Sequence, residues 1–198
     1  MHRGSPFIAI VVMAAFWVAA LYIPIGTIYA EEGQEAAANS FLGVKKCKTC
    51  HKSAKSGAQF PHWESTAHAK AFETLKSDAA AAIAKEKGLA VPAFEAPECL
   101  ECHTTGFGAP AELRGEKLTL EEGVSCEACH GAGSAYYKKK TMTAVTAGEI
   151  DGATVGLVTP DEAVCVACHN ERSPSFEAFD FKARVEEVKH AQAAAEGK

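Results

Sequence analysis

Hydrophobic positions recur at helical spacing in the stretch from Glu64 to Lys87. They fall three or four residues apart, which places them on one face of a helix. Gly88 comes directly after this stretch and is a typical stop signal. The sequence therefore predicts a helix that ends before Gly88 and has an inward stripe made of His68, Phe72, Leu75, Ala79 and Ile83.

Two further helices are indicated near the C-terminal end of the chain. Thr159-Pro160-Asp161-Glu162 has the pattern of a capping box, with Thr159 as the N-cap and proline at the first helical position. Asp180 is a suitable N-cap for a last helix with an inner face of Phe181, Val185 and Val188. These short segments predict a mainly α protein of short helices and loops, with little or no β-structure.

The longest hydrophobic run, from Phe7 to Ile23, has no polar face. It follows a basic start at Arg3 and precedes Ile28-Tyr29-Ala30, a small-residue cleavage site. This order predicts that residues 1–30 are an export signal, which gives a periplasmic or otherwise extracytoplasmic protein. Because the run is close to the lower limit for a membrane span, an uncleaved anchor through residues 7–23 is the alternative.

The rest of the chain divides by composition into three parts. Residues 31–43 begin polar and Ala-rich and are predicted to be a flexible leader, and residues 191–198 are predicted to be a frayed tail. Residues 44–190 form the predicted domain. Without residues 1–30, 19 basic residues stand against 25 acidic ones, a formal charge of −6. This acidic balance argues against nucleic-acid binding, which requires a basic face.

One local run of positive charge, Lys138-Lys139-Lys140, departs from the acidic balance. The simpler interpretation is a solvated loop near the propionate groups of a bound haem. The alternative is a docking site for an acidic redox partner.

All eight cysteines belong to four copies of one pattern, Cys-x-x-Cys-His. Two thiols on one turn can bond the two vinyl groups of a haem, and the histidine that follows supplies the proximal ligand to iron, so this is the attachment signature of c-type haem. A zinc or disulfide site is the alternative for a single copy. The predicted attachment residues are Cys47, Cys50, Cys99, Cys102, Cys126, Cys129, Cys165 and Cys168, and the predicted proximal ligands are His51, His103, His130 and His169.

Four covalently attached haems would form much of the core, so the short helices and loops are expected to wrap around them. The function then depends on the second axial ligand of each iron, since an iron with an open face can bind a small molecule. The candidates outside the export segment are His62, His68, His190 and Met142. His68 lies on the inward stripe and His190 follows the last helix, whereas His62 and Met142 have packing roles as equal alternatives.

The chain resembles the tetrahaem cytochrome c-554 family over residues 44–190. Besides the four motifs, the matching segments are Lys45-Lys46, Trp63 with Ser65 to Ala71, Gly106-Phe107-Gly108, Gly123-Val124-Ser125, Gly131-Ala132-Gly133 and Glu187-Val188-Lys189-His190. The resemblance implies that three haems have two histidine ligands and that the haem on Cys99, Cys102 and His103 is five-coordinate.

The same resemblance implies that His68 and His190 are distal ligands. The family has a further distal histidine shortly after the third motif, and this chain has none there. Met142 lies near that position and is one substitute for the missing ligand, with His62 as the rival. A histidine–methionine haem would have a higher potential than its neighbours.

The function that this evidence predicts is electron transfer between respiratory redox partners, which would be donor and acceptor cytochromes or a quinone-linked enzyme. Two alternatives stay open. The first is reduction of a small molecule of the nitric oxide type at an open haem on His103. The second is assembly as a subunit of a haem-stacked filament.

Overall fold

Short helices joined by loops make up residues 38–191, which are the residues described by the computed structural model. Within this range the α-helices are α1 Val44–His51, α2 Gln59–Glu64, α3 Ala71–Thr74, α4 Asp78–Glu86, α5 Pro97–His103, α6 Cys126–His130, α7 Lys139–Thr146, α8 Glu162–Val166 and α9 Phe181–Val188. Single 3-10 turns lie between them at Ala54–Ser56, His68–Lys70, Ala111–Leu113, Leu120–Glu122, Gly133–Ala135 and Gly152–Val155.

The β-structure of the described residues is one isolated bridge between Phe41 and Arg114. The predicted mainly α fold is therefore confirmed. The described residues all belong to one compact unit. The predicted export signal or anchor, residues 31–37 of the leader and residues 192–198 of the tail lie outside the described residues. No helix between residues 38 and 191 is long and apolar enough to cross a membrane.

The predicted continuous helix between Glu64 and Lys87 is wrong, because the chain breaks twice in this stretch. It forms α2, a 3-10 turn, α3 and then α4. Ser77 starts α4 as an N-cap, since its hydroxyl accepts the Ala80 N–H at 3.2 Å. The break shifts the buried face by one residue, from the predicted Ala79 and Ile83 to Ala80 and Ala84.

The helix ends were predicted with mixed success. Gly88 has a φ of 66°, and the Leu89 N–H behind it donates to the Ala84 carbonyl at 2.9 Å, which is a glycine C-cap as expected. Asp180 caps α9 through the Ala183 N–H, also as expected. The cap of α8 is Asp161 and not Thr159, because the Asp161 carboxylate accepts the Val164 N–H at 3.3 Å.

Residues 38–43, assigned to the flexible leader by the sequence, are instead tied to distant parts of the chain. The Asn39 side chain donates to the Val155 carbonyl at 3.1 Å. Phe41 pairs with two backbone groups of the Leu113–Gly115 segment, both at 2.8 Å. Residues 38–43 are therefore held against the rest of the fold before α1 begins, since these groups have partners far along the chain.

The apolar core of the described residues is small and lies beneath α5. It is built from parts of α3, α4 and α5 and consists of Phe72, Leu75, Ala80, Ala84, Ala93 and Leu100. Half of these six side chains are alanines, which bury little apolar surface. A core of this size suits a chain whose remaining apolar interior is supplied by a bound group.

Candidate functional site

Each Cys-x-x-Cys-His motif lies at a helix end, so its chemical groups share one face. Helices α1, α5 and α6 end at His51, His103 and His130, respectively. The fourth motif begins in α8, and the His169 N–H still donates to the Cys165 carbonyl at 3.0 Å. In a helical turn, residues three and four apart lie one above the other. Both thiols and the imidazole of a motif therefore point to the same side, and all eight thiols are free.

The four motifs are brought together in a definite order. Cys47 of the first motif is hydrogen-bonded to Cys126 of the third, and this contact together with burial raises the pKa of Cys47. Burial and the neighbouring Cys165 raise the pKa of Cys129, which relates the third motif to the fourth.

The fourth motif in turn meets the second. Burial, followed by the Cys102 thiol, raises the pKa of Cys168 to about 12. Arg172 bridges the same two motifs, because its guanidinium donates to Glu101 Oε2 at 2.8 Å and to the Ala167 carbonyl at 3.2 Å. Neighbouring thiols thus relate the first motif to the third, the third to the fourth, and the fourth to the second.

Two of the predicted distal histidines face proximal histidines of particular motifs. The ring centroids of His68 and His169 are 5.9 Å apart, and those of His130 and His190 are 5.8 Å apart. Metal-bound imidazole nitrogens lie about 2 Å from their metal, so two rings that share one ion have centroids roughly 6 Å apart. Both pairs match the spacing required for an iron between them.

The protonation state of these histidines also suits metal binding. Burial lowers the pKa of His68, with His169 as the second cause. Burial likewise lowers the pKa values of His130 and His169. A lowered pKa favours the neutral imidazole, which is the form that binds a metal.

Three of the four predicted proximal imidazoles, those of His51, His103 and His130, are oriented by hydrogen bonds from Nδ1. This atom lies 2.9 Å from the Ala71 carbonyl in His103 and 3.1 Å from the Val158 carbonyl in His130. In His51 it lies 3.2 Å from Oε1 of Gln59. Such a partner on one ring nitrogen leaves Nε2 free for a metal and fixes the ring direction.

His68 is held in place by the residues that lead into the third motif. The Val124 N–H donates to the His68 carbonyl at 3.0 Å, and the Trp63 indole donates to the Val124 carbonyl at 2.8 Å. Gly123 has a φ of 65°, and a Cβ there would lie 2.7 Å from the His68 carbonyl oxygen. Glycine is required at this position because the two backbones approach so closely.

The first and second motifs have no matching histidine pair. Among residues 38–191, neither His51 nor His103 forms a ring pair like the two above. His62 lies on α2, the helix whose Gln59 contacts His51, and its Nε2 is buried without a hydrogen-bond partner. Met142 is half-buried midway along α7. A buried polar atom normally has a hydrogen-bond partner, so the unpartnered Nε2 of His62 is consistent with a nitrogen that binds a metal.

These features fit covalent haem better than a zinc site. Within the described residues, no group of three or more His, Cys, Asp or Glu side chains is arranged to hold a single metal ion. The thiols of each motif share a face with their histidine. In addition, two histidine pairs have the spacing expected of two imidazoles that bind one iron.

Comparison with known proteins agrees with this geometry. The model of the family described as "Cytochrome c554 and c-prime" matches residues 46–131, which contain the first three motifs. Cytochrome c-554 of Nitrosomonas europaea is 36% identical over 149 residues, which are 69% of this chain and 61% of that protein. The structure of reduced cytochrome c554 from the same organism matches with a TM-score of 0.51 and 30% identity, and the match covers 76% of this chain and 79% of that chain.

The chain belongs to the cytochrome c554 family. The chain spans 61% of the length of the cytochrome c-554 that it matches, which is less than two thirds. The family resemblance, stated from the four motifs and the segments around them, is confirmed.

Several residues of this family member were not found from the sequence. Phe179 stacks on His169 with ring centroids 4.7 Å apart and an interplanar angle of 11°. Glu127, inside the third motif, accepts backbone N–H groups next to α1. Arg172 joins the second and fourth motifs. No local pattern marks any of these three residues, since each acts on a segment far from it in the sequence.

Proposed function

We propose that this protein is an exported tetrahaem electron carrier with one haem on each motif. The observation that carries the proposal is the pairing of His68 with His169 and of His130 with His190. Two axial imidazoles close an iron to substrates and leave it suited to electron transfer. When bound, haem c supplies a one-electron couple at its iron.

The residues of the chain have distinct roles in this proposal. The eight motif cysteines hold the haems, and His51, His103, His130 and His169 are the proximal ligands. His68 is the distal ligand for the fourth motif and His190 for the third. His62 is the stronger candidate for the first motif because its buried Nε2 has no other partner, and Met142 is the rival.

The order of thiol contacts supports a single route for electrons. Cys47 is hydrogen-bonded to Cys126 and Cys168 to Cys102, and Cys165 is close enough to Cys129 to raise its pKa. We therefore place the first and second motifs at the two ends of the route. The donor and acceptor would be extracytoplasmic redox proteins or a quinone-linked enzyme, in agreement with the predicted export signal or anchor in residues 1–30.

The holoprotein tests this proposal directly. We expect four haems per chain by pyridine haemochrome absorbance, and near-infrared magnetic circular dichroism that reports at least two low-spin histidine–histidine haems. His68→Ala should turn one low-spin haem high-spin without loss of covalent haem. Glu64→Gln, an exposed change on the preceding helix, is the matched control. A His68→Ala spectrum equal to that of the control would reject His68 as a ligand.

Reduction of a small molecule at the second motif is the second candidate function. His103 forms no histidine pair among the described residues, and a cleft of about 340 Å³ next to its helix is lined by Pro97, Glu98, Glu101, Phe107 and Gly108. An open haem on the second motif would supply the iron that binds the small molecule, and Glu98 and Glu101 would be candidates to relay protons to it. Nitric oxide binding to one high-spin haem would favour this activity, and four low-spin haems would reject it.

A further inference from the structure

Two segments of the chain carry many lysines and no acidic residue. Residues 38–63 contain five lysines, and residues 128–148 contain three. Together they hold eight of the 20 basic residues and none of the 25 acidic ones. These residues are Lys45, Lys46, Lys48, Lys52, Lys55, Lys138, Lys139 and Lys140, and we call them the basic face.

The fold brings the two lysine segments together beside the first motif. Lys46 Nζ lies 5.6 Å from the ring centroid of Tyr137, which directly precedes the lysine run. The contact between Cys47 and Cys126 joins the same two parts of the chain. All eight lysines are exposed, as is Cys50, whose thiol belongs to the attachment site of the first motif.

None of the eight lysines of the basic face forms an ion pair within the described residues, although Lys46 and Lys48 lie over the rings of Tyr137 and Phe60. The ion pairs of the described residues involve other cations: Lys76, Arg172, Arg184 and Lys189. Lys138 is the N-cap of α7, and Lys139 and Lys140 are its first two residues, with no acid in that turn. Cations at a helix N-terminus oppose the helix dipole, so this placement costs helix stability. No acidic side chain of the first turn or of an ion pair offsets this cost within the described residues. The three lysines are therefore better explained by binding to another molecule than by stabilising the fold.

The second motif, at the opposite end of the order from the first, is accompanied by negatively charged residues. The helix of the second motif, α5, contains Glu98 and Glu101, and Glu95 directly precedes it. Of these, only Glu101 forms an ion pair within the described residues, and its partner is Arg172. The two ends of the motif order therefore present different charges to a partner, which allows charge alone to select the end at which each partner docks.

We infer that the basic face is the docking surface of an acidic redox protein that exchanges electrons at the first motif. This inference rests on the proposed function and adds the site and charge of one partner. The exchange moves a single electron and no atom: the reduced partner loses it and the oxidised cytochrome gains it. Opposite charges steer such an encounter and raise its rate, and added salt screens the effect.

A charge-reversal pair tests the inference on the oxidised holoprotein. The probe is the hydroquinone form of a flavodoxin, an acidic one-electron donor, mixed by stopped flow at several ionic strengths. K139E/K140E should lower the second-order rate constant about tenfold at low salt, because steering of this kind raises rates by roughly 10- to 1000-fold. K85E/K87E, which makes the same charge change on exposed lysines in and next to α4, should change it less than twofold. The difference between the rate constants of the two variants should vanish in high salt.

Three results would overturn the inference. The first is equal rates for the two charge-reversal variants. The second is a rate loss in K139E/K140E that salt does not remove. The third is an unchanged rate with a shifted midpoint potential, which would mean that the lysines serve haem propionates. K139Q/K140Q provides a milder variant if charge reversal prevents folding. Haem content and reduction by dithionite test the proposed function separately, because neither depends on docking.

Discussion

Replacing Glu127 with alanine tests how the helix of the first motif is held against the third. Glu127 is 2% exposed and lies inside the third motif. Its carboxylate accepts the N–H of Gly43 at 2.8 Å and of Gly133 at 2.7 Å, and both its oxygens lie within 3.0 Å of the Leu42 nitrogen. Helix α1 has no side-chain cap of its own, since Gly43 is its N-cap residue.

The size of the effect follows from these three donors. A buried N–H left without a partner costs about 1–3 kcal/mol. Glu127→Ala leaves two such groups, on Gly43 and Gly133, together with the part-buried N–H of Leu42. From the two buried groups we expect a loss on the order of 2–6 kcal/mol in the free energy of unfolding. Glu127→Gln keeps one carbonyl oxygen and should cost about half as much, because its NH₂ group faces donors and not acceptors.

Urea unfolding of the holoprotein, followed by far-ultraviolet circular dichroism, measures this free energy. Glu86→Gln is the matched control, because Glu86 is exposed on α4. Covalent haem content must be equal in all samples, so that the comparison reports the hydrogen bonds alone. A loss below about 1 kcal/mol in Glu127→Ala would refute the reasoning, since that is the cost of a single unsatisfied group.

Three further substitutions test the ligands and the buried acid beside Glu127. His190→Ala should make one haem high-spin in the near-infrared spectrum, and an unchanged spectrum would reject the pairing with His130. Met142→His should lower one midpoint potential in a redox titration if Met142 binds iron, and an unchanged potential would favour His62. Burial raises the pKa of Glu122 despite its hydrogen bond from Val44, so its ionisation opposes folding. Wild-type stability should therefore fall relative to Glu122→Gln as pH rises from about 4.5 through the folded pKa, and a constant difference in urea unfolding between pH 4 and 7 would contradict this.

The sequence predicted those features whose chemistry is local. A Cys-x-x-Cys-His motif works within one turn, so five residues are enough to identify it. The Asp180 cap and the Gly88 stop are local in the same sense. The single helix from Glu64 to Lys87 failed because hydrophobic spacing does not show that the Ser77 hydroxyl starts a new helix.

The pairing of ligands with motifs is not local, and the sequence could not assign it from spacing. His68 was a candidate because it lies on an inward stripe, but its partner His169 is far along the chain. The backbone of His68 is positioned by its close approach to Gly123, which is a tertiary contact. For the same reason, the sequence did not show which residue lies opposite His51 or His103.

Contacts between motif segments link the motifs to one another outside the apolar core. Glu127 of the third motif holds the chain entering the helix of the first, and Val124, just before the third, holds the distal histidine that faces the fourth. Arg172, just after the fourth motif, binds Glu101 inside the second. Each motif is thus positioned by a segment that belongs to another. Because these contacts form a connected network, a change at one motif should alter the neighbouring site as well, and substitutions in adjacent segments should not be additive.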